Sequence, residues 1–81
     1  MQVRVLFFAS FRDAAGVPRC ELELQAGARL GDARAALGER FPALRSRLEH
    51  VRFAVDQEFA SADAPLRDGS EVAVIPPVSG G

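Results

Sequence analysis

The opening stretch "QVRVLFFA" is apolar on both parities of an extended chain. Val3, Val5 and Phe7 share one face, and Leu6 and Phe8 occupy the other after Arg4. Such a strand is predicted to run through the middle of a sheet, covered on both sides. In a chain of 81 residues the second cover has to come from elsewhere. Asp13, Gly16 and Pro18 then supply turn chemistry. "RCELELQ" alternates strictly, with Cys20, Leu22 and Leu24 on one side and Arg19, Glu21, Glu23 and Gln25 on the other. Two strands joined by a short Gly-containing loop predict a hairpin. On this parity Cys20 is a buried structural thiol, with no sequence neighbour that would make it reactive.

After Gly27 the period changes. Leu30, Ala33, Leu37 and Phe41 fall at helical spacing, with Asp32 in the first turn and Pro42 at the end. Gly31 and Gly38 each weaken this helix by roughly 1 kcal/mol relative to Ala, so packing must hold it. A second short helix is predicted over "PALRSRLE", burying Leu44 and Leu48 and presenting Arg45, Arg47 and Glu49 to solvent. "VRFAVDQ" alternates again, with Phe53 and Val55 inward. "SADAPLRDG" is a polar connection whose Leu66 plugs the core. Asp68-Gly69 turns the chain into the last strand, "SEVAVIPP", with Val72 and Val74 on the core face. Pro76 and Pro77 end it, because proline cannot continue a ladder.

The expected order is hairpin, helix, strand, strand. It predicts an α+β domain spanning residues 1–81, a mixed sheet crossed on one face by one main helix, with a flexible tail over 76–81. A net charge of −1 argues against nucleic-acid and anionic-membrane partners, which select a basic excess. All ten basic residues are Arg, so no lysine amine is available as a nucleophile or acylation target. One cysteine excludes an internal disulfide and a cysteine-based metal cluster. No signal segment or membrane-length apolar run is evident, which predicts a cytoplasmic protein. His50 has no nucleophile or carboxylate set around it and reads as a helix-end or surface residue. Asp56 and Glu58 lie two apart on an expected strand and read as surface charges.

The ending "PPVSGG" is the stretch with the most chemical content. The five residues after Pro76 span roughly 17 Å when extended at about 3.3 Å each. Gly80 and Gly81 lack Cβ atoms and can enter a narrow slot. The terminal carboxylate is ionised and inert at neutral pH, so acyl chemistry requires prior activation, for example as an acyl-adenylate.

The stretches "VRVLFFASFRDAAG", "FAVDQEFAS" and "PLRDGSEVAVIPPVSGG" resemble the small subunits of molybdopterin synthase, the MoaD-type sulfur carriers of the β-grasp, ubiquitin-like superfamily. The resemblance covers essentially the whole chain. Its specific part is "DGSEVAVIPPVSGG"; the helical middle matches in pattern alone. It implies that an E1-like enzyme adenylates the Gly81 carboxylate with ATP, and that a sulfur-transfer protein supplies the sulfur of a thiocarboxylate. The tail would then enter the large synthase subunit and donate sulfur to cyclic pyranopterin monophosphate, with Gly80 slim beside the reacting end. Two small and two large subunits would form a heterotetramer. No cofactor would be bound by this chain, and it would not catalyse alone. Family members often carry Asn where this chain has Asp56, which bears on the local turn.

In a β-grasp sheet the first and last strands are parallel neighbours. Leu6 and Phe8 are therefore expected beside Ala73 and Ile75, as an apolar patch that docks the partner subunit. Pro76, Pro77, Val78 and Ser79 would continue that contact into the tail. The alternative is that Phe11 or Phe59 folds over the patch. Three further functional readings stay open: a carrier for thiamin or another sulfur-containing product, a ubiquitin-like protein modifier acting through Gly81, and a plain interaction domain.

Overall fold

A computed structural model of the chain describes residues 1–76; the expectations for Pro77, Val78, Ser79, Gly80 and Gly81 lie outside the described residues. Five strands form one sheet in the order β2-β1-β5-β3-β4. The strands are β1 Gln2–Phe7, β2 Arg19–Glu23, β3 Arg52–Val55, β4 Glu58–Ala60 and β5 Glu71–Ile75. β1 runs antiparallel to β2 and parallel to β5, and β3 is antiparallel to both β5 and β4. The two central strands are those with the densest apolar patterning, as burial on the core side requires.

One helix layer covers one face. Val3, Val5 and Phe7 of β1 and Val72 and Val74 of β5 are essentially inaccessible, and so are Leu30, Ala33 and Leu37 of α2 (Leu30–Arg40). These residues belong to one core cluster, together with Phe11, Leu22, Leu44, Leu48, Phe53 and Leu66. Burying each large aliphatic side chain contributes about 1.5–3 kcal/mol. Phe41 follows α2 and meets Phe7 edge-on, with ring centroids 5.4 Å apart. The start of α2 is tied down twice. The Arg29 N–H donates to the Asp32 carboxylate at 2.8 Å, and the Leu30 and Gly31 N–H groups donate to Ala64 and Ala62 carbonyls. A Cβ at Gly31 would make an ordinary contact, 3.4 Å from the Ala62 carbonyl oxygen, so this approach does not itself require glycine. None of the described helices is long and apolar enough to cross a membrane.

Four local expectations need correction. The β1–β2 connection is a helix, α1 (Ala9–Ala15), and not a bare loop. Its signal is short: the Ala-rich "ASFRDAA", stopped by Gly16 at φ 81, whose N–H donates to the Arg12 carbonyl. "PALRSRLE" divides into two 3-10 turns, Pro42–Leu44 and Arg47–His50, which still bury Leu44 and Leu48. The strand expected over "VRFAVDQ" stops at Val55, and a fifth strand, β4, follows. Asp56 and Gln57 form the turn between them, both left-handed at φ 50 and 73, so Asp56 and Glu58 are not strand neighbours. A two-residue left-handed turn matches the twist of the flanking strands.

Asp56 tolerates this backbone because its short side chain has a local partner. Its carboxylate accepts from the Glu71 N–H at 3.0 Å, while its own N–H donates to the Glu71 carbonyl at 2.8 Å. Asn can make the same side-chain contact, so Asp56 preserves the turn instead of disturbing it. Asp56→Ala is expected to cost about 1–2 kcal/mol through the lost acceptor and the left-handed strain. Asp56→Asn should stay within about 0.5 kcal/mol. Urea denaturation midpoints of the two variants check both values.

Candidate functional site

The helix layer covers one side of the sheet, and the other side holds the expected patch residues together. Cross-strand partners share a face. Leu6 pairs with Ala73, Ala73 with Ala54, and Ala54 with Phe59, so one row crosses four strands on the side away from the core. Arg19 opposes Leu6 at one end of the row. Ile75 of β5, and Phe8, extended immediately past the end of β1, continue the same parity. Leu6, Ala73 and Ile75 are half-buried, whereas Phe8 and Phe59 are 45% and 60% exposed. Pro76, also half-buried, follows Ile75 directly, and the chain heads for residues 77–81 from this end of the sheet.

Phe11 does not fold over this face. It is 1% exposed and belongs to the core cluster, where the Arg47 guanidinium lies 4.2 Å from its ring centroid. Phe59 stays on the open face and carries Arg52 stacked at 4.0 Å. Ala54, Phe59 and Arg52 were missed as members of the face. Their signal was the alternation of "VRFAVDQEFA" read on its other parity, continued through the "DQ" turn into β4. Ala54 is 6% exposed although it lies opposite the core side.

Cys20 lies on the core side of β2 but is only half-buried, because β2 is an edge strand. Burial pushes its thiol pKa up, and the Arg40 guanidinium partly offsets that. Arg40 comes from the last turn of α2 and donates to the Glu21 carbonyl at 2.7 Å. This cationic neighbour is brought in by the fold and is invisible in the local sequence. His50 closes the second 3-10 turn and is exposed. Among the described residues no group of three His, Cys, Asp or Glu side chains is arranged to hold a metal ion.

A mixed sheet with parallel first and last strands, one main crossing helix and an open face beside the chain exit defines the ubiquitin-like β-grasp class. The chain belongs to the ThiS family, whose profile matches residues 5–81. It is 43% identical to the molybdopterin synthase sulfur carrier subunit of Chlamydomonas reinhardtii, over all of both chains. In structure it is similar to the small archaeal modifier protein 1 of Haloferax volcanii, with a TM-score of 0.92, 30% identity and full coverage of both chains. It is also similar to a chain from the complex of subunits 1 and 2 of molybdopterin-converting factor from Helicobacter pylori 26695. There the TM-score is 0.73 and the identity 27%, again over the whole of both chains.

The direction of the Cys20 shift fixes a pH dependence. The fold favours the neutral thiol, so its contribution to stability is complete below the unfolded thiol pKa. It is lost as pH rises through the folded value. Alkylation of native Cys20 by iodoacetamide should therefore reach half its maximal rate at a higher pH than in the urea-unfolded chain. Arg40→Gln should move that midpoint higher still.

Proposed function

We propose that this chain is a sulfur carrier subunit of molybdopterin synthase. The observation that carries the reading is the end-to-end similarity to a named sulfur carrier subunit, joined to the "PPVSGG" ending. The carrier chemistry follows from what the residues offer. A Gly81 carboxylate cannot react as an acyl donor until its oxygen becomes a leaving group. An E1-like enzyme converts it with ATP to an acyl-adenylate, releasing pyrophosphate. Sulfide-level sulfur (HS⁻) delivered by a sulfur-transfer protein attacks the acyl carbon, AMP departs, and a thiocarboxylate remains. The thiocarboxylate sulfur then bonds to a carbon of cyclic pyranopterin monophosphate inside the large subunit. Water cleaves the acyl–sulfur bond, so that sulfur stays on the pterin and Gly81 returns to a carboxylate. Gly80 leaves the approach free of side-chain bulk. ATP acts in the activating enzyme, and no cofactor resides in this chain.

The open face has the composition of a protein contact. Leu6, Phe8, Ala73 and Ile75 present apolar surface at the point where the chain leaves the sheet. We assign it to the large subunit, with Pro76, Pro77, Val78 and Ser79 continuing the contact toward the reacting end. The complex of two converting-factor subunits that contains a chain of the same fold supports this assignment. The similarity to an archaeal modifier protein favours a second reading, in which Gly81 is joined to amines of other proteins. Both readings use the same activated carboxylate and differ in the acceptor.

Incubation with an adenylating enzyme, ATP and a sulfur source should raise the intact mass by the replacement of one oxygen by sulfur. Deletion of Gly81 should abolish the gain. An unchanged mass with an enzyme that loads a known carrier would overturn the reading. Separately, Leu6→Asp combined with Phe8→Asp should weaken binding to the large subunit by about a hundredfold, since two apolar contacts at an interface centre are lost. Calorimetric titration checks this, and unchanged affinity would remove the face from the interface.

A further inference from the structure

A groove of about 420 Å³ opens between the first turns of α2 and the β3–β4 edge. Leu30, Val51 and Phe53 give it apolar lining, and Arg34, Arg52 and Phe59 stand around it. The two arginines are the charged residues of its lining, and both are exposed. The groove is thus locally cationic in a chain whose net charge is −1. Arg52 does not wave freely. Its guanidinium carbon sits 4.0 Å from the Phe59 ring centroid, a stacked geometry that leaves the in-plane N–H donors available to a carboxylate. The groove is also placed to matter. Arg52 is the register partner of Ile75, the last residue of β5, and Arg52 and Phe59 belong to the open face as well.

We propose that this groove is a second docking point for the protein that receives the tail, and that it takes an acidic segment of that protein. Carboxylates of the segment pair with Arg34 and Arg52, and an apolar side chain beside them packs on Phe59. The inference rests on the carrier reading and adds to it the charge of the partner's surface. An apolar face alone tolerates sliding, whereas paired charges at one border fix register. Because Arg52 adjoins the end of β5, fixing that border also fixes Ile75, from which the tail continues.

The test is calorimetric titration of the large synthase subunit with the wild-type chain and with Arg34→Gln/Arg52→Gln, in a sodium chloride series. Both side chains are exposed and the Arg52–Phe59 stack contributes at most about 1 kcal/mol, so the variant should stay folded with a slightly lower melting temperature. The expected result is a loss of affinity of about five- to thirtyfold at ~0.1 M salt, from two partly exposed charge pairs. That loss should shrink towards the wild-type value at ~1 M, where screening acts within about 3 Å. Arg45→Gln, exposed and outside the groove, should bind normally. Equal affinity of variant and wild type at every salt concentration overturns the proposal, and so does a loss that ignores salt. A variant that instead alters the sedimentation of the isolated chain would show the groove binding a second copy, which also overturns it. If the wild type fails to bind the large subunit at all, the carrier reading falls and takes this inference with it.

Discussion

The parallel pairing of β1 with β5 is the constraint on which the rest depends. It joins the two ends of the described chain at the centre of one sheet, with Val5 beside Val72 and Phe7 beside Val74. Strands paired this way need a long connection, and here that connection holds α2, the main cover of the core. A single helix layer can shield only one face. The parity that sends Val3, Val5, Phe7, Val72 and Val74 inward therefore sends Leu6, Phe8, Ala73 and Ile75 outward. The same pairing brings the exit of the last strand to that open face. An apolar surface and the route to the Gly-Gly end are thus two consequences of one register.

The polar features support this arrangement at its borders. Asp56 holds the β3–β4 turn against the start of β5 through two contacts with the Glu71 backbone. The segment after β4 is clamped to α2 by the Ala62 and Ala64 carbonyls, which is where the groove beside Arg34 arises. Arg52 and Phe59 join the groove to the open face. On the proposed carrier reading no catalytic constellation is needed among these residues, because the reacting group would be the Gly81 carboxyl, activated with ATP on another protein.

Much of this was legible in the sequence, for identifiable reasons. The core faces of β1 and β5 follow a strict alternation of large apolar residues, and α2 shows a clean helical spacing with Asp32 at its start and Pro42 past its end. What escaped depended on long-range placement. The helix α1 is seven residues long, too short for periodicity to separate it from a loop, and its single buried anchor is Phe11. The strand β4 is three residues long and polar at its first position, so sequence alternation runs on through the left-handed Asp56–Gln57 turn as if it were strand. The Arg40–Cys20 and Arg52–Phe59 neighbours come from elements distant in sequence or from across a turn, and no local pattern announces them. Asp56 suits its turn because its carboxylate reaches the Glu71 N–H, a partner 15 residues away that the local sequence does not reveal.

The central claim is that Gly81 delivers sulfur to a pterin and not itself to a protein. Its most direct test is a single-turnover reaction. The chain, loaded with isotopically labelled sulfur, is mixed with the large subunit and cyclic pyranopterin monophosphate, and the label is followed by mass spectrometry. The account predicts that the label appears in the pterin product while the chain returns to its carboxylate mass. Label retained on the chain in the presence of an active large subunit would contradict it. So would recovery of the chain joined through Gly81 to an amine of another protein.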